Sequence, residues 1–180
     1  MKINKTFIED LLIIEPQLFK DERGFFYESY NKKKLDKKIK IVFVQDNESK
    51  SIKGVIRGLH FQAPPFEQTK LVSCVSGNIL DVAVDLRTNS KTYGKSFSIE
   101  LSSENNKQLF IPRGFAHGFQ VLSETAIVNY KVDNYYNSKS ESGLIWNDKD
   151  LSIDWKLNIK PILSKKDLKL MSFKDLKSPF

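Results

Sequence analysis

Leu71-Val72-Ser73-Cys74-Val75-Ser76-Gly77-Asn78-Ile79-Leu80-Asp81-Val82-Ala83-Val84-Asp85-Leu86 is the stretch that decides the fold class. Two apolar runs flank Ser76-Gly77-Asn78, a turn signal that predicts a hairpin between strands 71–75 and 79–86. In the second run Leu80, Val82, Val84 and Leu86 face one way and Asp81, Ala83 and Asp85 the other, which is the period of a strand. Working outward, Ile39–Ser49 alternates too, with Ile39, Ile41, Phe43, Gln45, Asn47 and Ser49 on one face that starts apolar and turns polar. Further strands read at Phe97–Leu101, Gln108–Ile111, Phe119–Leu122 and Ala126–Val132. No helix of convincing length precedes the tail beyond Ser164. Short strands at regular spacing predict an all-β jelly roll, an antiparallel sandwich or barrel, with short helical segments at the C-terminal end. Residues 1–180 show no repeat or linker and read as one domain.

Composition narrows the class of function. Of the 180 residues, 40% are hydrophobic and 28% charged, as in ordinary soluble globular chains. The one early apolar run, Leu11–Ile14, is four residues long and flanked by Glu9, Asp10 and Glu15. It predicts neither a signal peptide nor a membrane span, hence a cytoplasmic protein without membrane association. Cys74 is the single cysteine and reads as core. The net charge of +7 invites a nucleic-acid reading. Yet only Arg23, Arg57, Arg87 and Arg113 are arginines, and the lysines gather at 32–40 and 156–177 without interleaved aromatics. Such faces are solvated surface, so no nucleic-acid partner is expected. The scarce arginines are the natural phosphate ligands.

The densest chemistry lies in Arg57-Gly58-Leu59-His60-Phe61-Gln62 and Ile111-Pro112-Arg113-Gly114-Phe115-Ala116-His117-Gly118-Phe119. The second resembles the Pro-x-Gly-x-x-His motif of cupins. Metal-binding cupins also carry a first motif with two histidines one residue apart and a glutamate; here the chain holds two histidines in all, and Phe61 and Gln62 follow His60. No bound metal or redox cofactor is expected. From spacing alone both histidines could equally be satisfied core residues, Tyr130 a member of the apolar face Ala126-Val128-Tyr130-Val132, and Lys70 a surface charge. Ser164-Lys165-Lys166-Asp167 could equally be a helix capping box.

Further segments carry a specific likeness, in order along nearly the whole chain. They are Asp21-Glu22-Arg23-Gly24-Phe25-Phe26-Tyr27-Glu28-Ser29, Gln45-Asp46-Asn47, Arg57 to Gln62, Lys70-Leu71-Val72 and Asp81 to Arg87, then Ile111 to Phe119, Asn134-Tyr135-Tyr136, Trp146-Asn147-Asp148 and Leu163-Ser164-Lys165-Lys166-Asp167. Together they resemble the dTDP-4-dehydrorhamnose 3,5-epimerase family, a cupin-type jelly-roll lineage without metal.

The resemblance implies a dTDP-linked 4-keto-6-deoxy sugar as substrate and no cofactor. Hydrogens on carbons 3 and 5 flank the carbonyl and become acidic when the enolate is stabilised. His60 matches the general base, Asp167 the carboxylate that orients it, Tyr130 the general acid on the opposite face and Lys70 the cation near the carbonyl oxygen. Arg23, Arg57 and Lys166 match groups that meet the diphosphate or sugar, and Glu28, Gln45 and Asn47 match nucleotide and sugar contacts. Tyr136 matches the ring that stacks on the base, His117 a second imidazole on the sugar, and Glu141 an acidic arm of the binding region that is aspartate in relatives. Asp81 would support a histidine. Gln45 and Asn47 share a strand face by parity, whereas Arg57 and His60 need a bulge at Gly58 to share one. A homodimer is implied, its N-terminal strand crossing to the neighbour. Lys149 and Lys165 depart from the family pattern and touch neither acid nor base. An epimerase of one carbon, a 3,4-ketoisomerase or a non-catalytic sugar-nucleotide-binding cupin are the alternatives.

Overall fold

The computed structural model describes residues 1–180. Its strands are β1 (Lys2–Lys5), β2 (Leu12–Glu15), β3 (Phe19–Asp21), β4 (Gly24–Phe26), β5 (Gln45–Ile52), β6 (Ile56–Gln62) and β7 (Lys70–Ser76), then β8 (Asn78–Asp85), β9 (Ser96–Ser102), β10 (Gln108–Ile111), β11 (Phe115–Val121), β12 (Thr125–Val132) and β13 (Glu141–Gly143). A six-stranded sheet runs β1-β2-β10-β7-β12-β5 and a five-stranded sheet β13-β6-β11-β8-β9. All their pairings are antiparallel. The all-β jelly roll is thus as expected, and the only helices are one turn at Lys32–Leu35 and two 3-10 turns at Asp167–Lys169 and Phe173–Asp175.

The segment read as a hairpin is not one. β7 and β8 follow each other directly but lie in different sheets. Gly77, at φ +79°, turns the chain across the fold, and a Cβ there would sit 2.2 Å from the Thr125 carbonyl oxygen. A glycine bend between apolar runs looks the same whether the strands pair or cross over. The Ile39–Ser49 reading is right in parity, since burial alternates from Ile39 onward, and long only as a strand, which begins at Gln45.

The two sheets face each other over a core that takes Val72, Leu109 and Val128 from one and Ile79, Leu101 and Phe119 from the other. The outer face of the five-stranded sheet is also covered, by Leu151, Trp155 and a C-terminal strap carrying Leu163, Phe173, Leu176 and Phe180. That cover explains why β8 is apolar on its even-numbered face: Leu80, Val82 and Val84 look outward under the strap, while Asp81 and Ala83 look into the fold. Burying both faces is what a run of seven buried residues, as in β11, requires. One end of the space between the sheets stays open, and the polar residues gather there.

Candidate active site

A cavity of about 440 Å³ opens between the sheets, with Arg57, His60, His117 and Phe119 on one wall and Ser49, Lys70 and Tyr130 on the other. Lys166 and Asp167 close it from the strap. A smaller adjoining recess of about 150 Å³ shares His60, Lys70 and Tyr130 and adds Gln45, Asn47, Gln68, Tyr136 and Glu141. Strand alternation aims Gln45, Asn47 and Ser49 together at this space, as their parity predicted.

Arg57 and His60 reach the same cavity because β6 bulges. His117 pairs with His60 and Phe119 with Arg57, so two steps along β11 oppose three along β6. The Arg57 guanidinium Nε donates to Ser51 Oγ at 3.0 Å.

His60 Nε2 lies 2.7 Å from Asp167 Oδ1. A carboxylate only accepts, so Nε2 carries the proton and Nδ1 keeps the lone pair. The imidazole is pulled below its ordinary pKa of 6.5 by burial, which Asp167 partly offsets and nearby Lys70 reinforces. His60 is therefore neutral at neutral pH, as a base must be. Across the strand pair, His117 Nε2 meets Asp81 Oδ1 at 2.8 Å, deep in the wall. Asp81 thus supports a histidine.

Burial raises the Tyr130 phenol above its usual range, against the opposing pull of Arg57. It stays protonated and can donate. Lys70 is pushed down to about 8 by burial, with Asp81 and Glu141 opposing. It forms no ion pair within the chain, so its positive end is available to whatever fills the cavity. Glu141 Oε2 accepts from Tyr136 Oη at 2.6 Å and Lys166 Nζ at 2.5 Å. Burial pushes Glu141 up, but Lys166 and Tyr136 outweigh it and hold the carboxylate below its usual range.

Eleven of the sequence-derived residues, His60, Asp167, Tyr130, Lys70, Gln45, Asn47, Arg57, His117, Tyr136, Glu141 and Lys166, therefore line one continuous space. Arg23 and Glu28 do not. Arg23 sits on the exposed turn between β3 and β4, paired with Asp21 at 2.6 Å, and Glu28 pairs with Lys34. Sequence reasoning gave no role to Gln62. Its amide donates to the Phe66 and Tyr135 carbonyls at 2.6 and 3.2 Å and accepts from Asn137 N at 2.7 Å, so it holds the loop that presents Tyr136. Only its parity with His60 hinted at this. No group of three histidine, cysteine, aspartate or glutamate side chains converges with metal-ligating geometry.

Comparison with known proteins identifies the family. The family model described as dTDP-4-dehydrorhamnose 3,5-epimerase matches residues 5–175. A Shigella flexneri protein of that name is 51% identical over 177 residues, covering 97% of both chains. A solved dTDP-4-dehydrorhamnose 3,5-epimerase from Elizabethkingia anophelis is 56% identical with a TM-score of 0.93, covering 99% of this chain and 98% of that one. A Legionella pneumophila dTDP-6-deoxy-D-glucose-3,5-epimerase, solved with dTDP-4-keto-L-rhamnose, is 46% identical with a TM-score of 0.94 over 97% of this chain and 94% of its own.

Proposed function

The chain belongs to the dTDP-4-dehydrorhamnose 3,5-epimerase family, and on that premise we propose how its residues carry out the epimerisation. The enzyme is an isomerase that inverts carbons 3 and 5 of dTDP-4-keto-6-deoxy-D-glucose on the way to dTDP-L-rhamnose. His60 Nδ1 removes the proton beside the carbonyl, the Lys70 ammonium steadies the enolate oxygen, and Tyr130 returns a proton from the far side. Asp167 holds the imidazole and balances the charge it gains. Arg57 and Lys166 meet the diphosphate or sugar, Gln45 and Asn47 the nucleotide and sugar, and His117 the sugar. Tyr136 stacks on the base beside the Glu141 arm. No cofactor takes part.

One observation carries this reading: the base and the acid stand on opposite sheets, His60 on β6 and Tyr130 on β12, facing one cavity. Inversion needs a proton taken from one face and given to the other. A sugar lying between the sheets meets both conditions.

Arg23 and Glu28 enter this scheme through a second copy of the chain. The β3–β4 hairpin leaves Phe19, Phe25 and Phe26 more than half exposed, and such a cluster suits an interface. A homodimer in which each hairpin reaches the other subunit's cavity would bring both residues to the nucleotide. Residues 1–180 then act as one domain per subunit. The proposed compartment is the cytoplasm; separately, no helix is long and apolar enough to cross a membrane.

The test is NMR of dTDP-4-keto-6-deoxy-D-glucose incubated with the protein in heavy water. Deuterium at both carbons is the expected result, and it should vanish in His60→Ala. Label at one carbon alone would make the protein a mono-epimerase, and none at either would defeat the proposal.

A further inference from the structure

Trp146-Asn147-Asp148 lies outside the cavity, and the chemistry above gives it no task. Asp148 is nevertheless buried to 8% exposure, and its carboxylate is fully engaged by backbone donors. Oδ1 accepts from Asp150 N at 2.9 Å and Leu151 N at 3.2 Å, and Oδ2 accepts from Phe173 N at 2.7 Å. Its two oxygens therefore join two segments: the loop after β13, and the C-terminal strap six residues beyond Asp167.

The strap that carries Asp167 is fastened on both sides of that residue. Upstream, Ile162 N donates to Gly54 O at 2.9 Å and Ile162 O accepts from Ile56 N at 3.0 Å, next to the start of β6. Downstream, Ile145 N donates to Met171 O at 2.8 Å, and the Asp148 carboxylate then takes Phe173 N. Between these fastenings Leu170 lies against Gly143, where a Cβ would stand 3.0 Å from Leu170 Cδ1. Gly143 is the β13 partner of His60. Cross-strand partners project to the same face, so here the strap lies against β13 on the side that carries the His60 imidazole.

Resting on the epimerase reading, we infer that Asp148 is a positioning residue: it clamps the strap so that Asp167 stays within hydrogen-bond reach of His60. A shift of about 1 Å in a catalytic partner can cost on the order of 100-fold in rate, and Asp148 is the only side-chain carboxylate that ties the strap downstream of Asp167 to the loop after β13. Its negative charge is matched to three N–H donors, so an amide in its place must turn an NH2 group toward at least one of them.

Asp148→Asn in the full chain tests this, with Asp148→Ala as the harsher companion. The chain has two histidines, so NMR of histidine-labelled protein follows the His60 ring without any turnover. In Asp148→Asn the His60 midpoint should move down, because Asp167 holds it up. The other charged groups facing His60, Lys70 on β7 and Glu141 on β13, are untouched by the change, as is His117 on β11. The turnover number should fall about tenfold with KM within about twofold, and the same substitution should cost less than about twofold when Asp167 is already Asn. A purely structural role would lower Tm without moving the His60 midpoint, and would add its loss in full on the Asp167→Asn background. Either result overturns the inference. A wild-type chain without turnover would instead defeat the epimerase reading, and the titration would still decide whether Asp148 positions Asp167.

Discussion

His60 and His117 are direct cross-strand partners on β6 and β11, and each presents Nε2 to a buried carboxylate, at 2.7 Å from Asp167 and 2.8 Å from Asp81. They differ in access. The His60 side chain is 29% exposed, toward the cavity, and that of His117 only 7%. The same acid–imidazole pairing is built twice, once open to a reactant and once set into the wall.

Asp167→Asn should separate the two influences on His60. Burial lowers the imidazole pKa and Asp167 raises it again, so losing the carboxylate lowers it further. The acid limb of kcat/KM should move to lower pH, while the plateau falls by about tenfold or more. Because the folded pKa is already below 6.5, the neutral ring favours folding above that pH, and this contribution is lost as pH falls through the folded value. The variant should therefore keep, or slightly extend downward, that window. A pH–rate profile together with thermal melts between pH 5 and 8 would check both, and an unmoved acid limb would speak against the pairing.

Lys70 should trade stability for chemistry. Its pKa of about 8 in the fold, against 10.5 in the open chain, means that folding disfavours its charged form. The full penalty is carried below pH 8 and fades as pH rises to 10.5. Lys70→Met removes the buried charge and should raise Tm at pH 7 by several degrees while lowering turnover by roughly 100-fold or more. In the wild type, kcat/KM should decline above about pH 8 as the ammonium is lost. A Lys70→Met protein that melts lower than wild type would contradict this.

Tyr130→Phe should uncouple exchange from inversion. With His60 intact, solvent deuterium should still enter the substrate on the face from which it was taken, yet inverted product should drop by about 100-fold or more. Comparing label incorporation with product formation by NMR distinguishes this from a general loss of binding, which would suppress both together.

Mixing two defective proteins should restore activity if the β3–β4 hairpin serves the neighbouring subunit. Arg23→Ala and His60→Ala homodimers each carry one defect in both sites. In a mixed dimer one site holds both defects and the other holds neither. Co-refolded mixtures should regain a substantial share of wild-type activity, and sedimentation should report a dimer. Activity no greater than the sum of the separate proteins would place Arg23 in its own chain's site.

Much of this arrangement was legible in the sequence, through period-two alternation above all. The parity of Gln45, Asn47 and Ser49 survived into the wall of the cavity, and the odd spacing of Arg57 and His60 demanded the bulge that β6 contains. What alternation cannot carry is the partner of each strand. Gly77 reads as a hairpin turn because crossing to a facing sheet uses the same local backbone as folding back. Nor could spacing place Asp167, 107 residues from His60; that contact is set by how the strap lies on the finished sheets, and only the family likeness announced it. Strands β1 to β4 were missed because each spans three or four residues, too few for a period to declare itself.

The strap also sets an order in time. Every named strand ladder is completed by residues 2–143, whereas the carboxylate for His60 arrives with a segment that has only two isolated bridges to the rest. Non-local sheets form slowly, and a segment with so few ladder contacts docks onto a surface already made. A refolding chain should therefore regain its strand signal before its turnover, and the lag between them would clock the docking of the strap: competence here is acquired after shape.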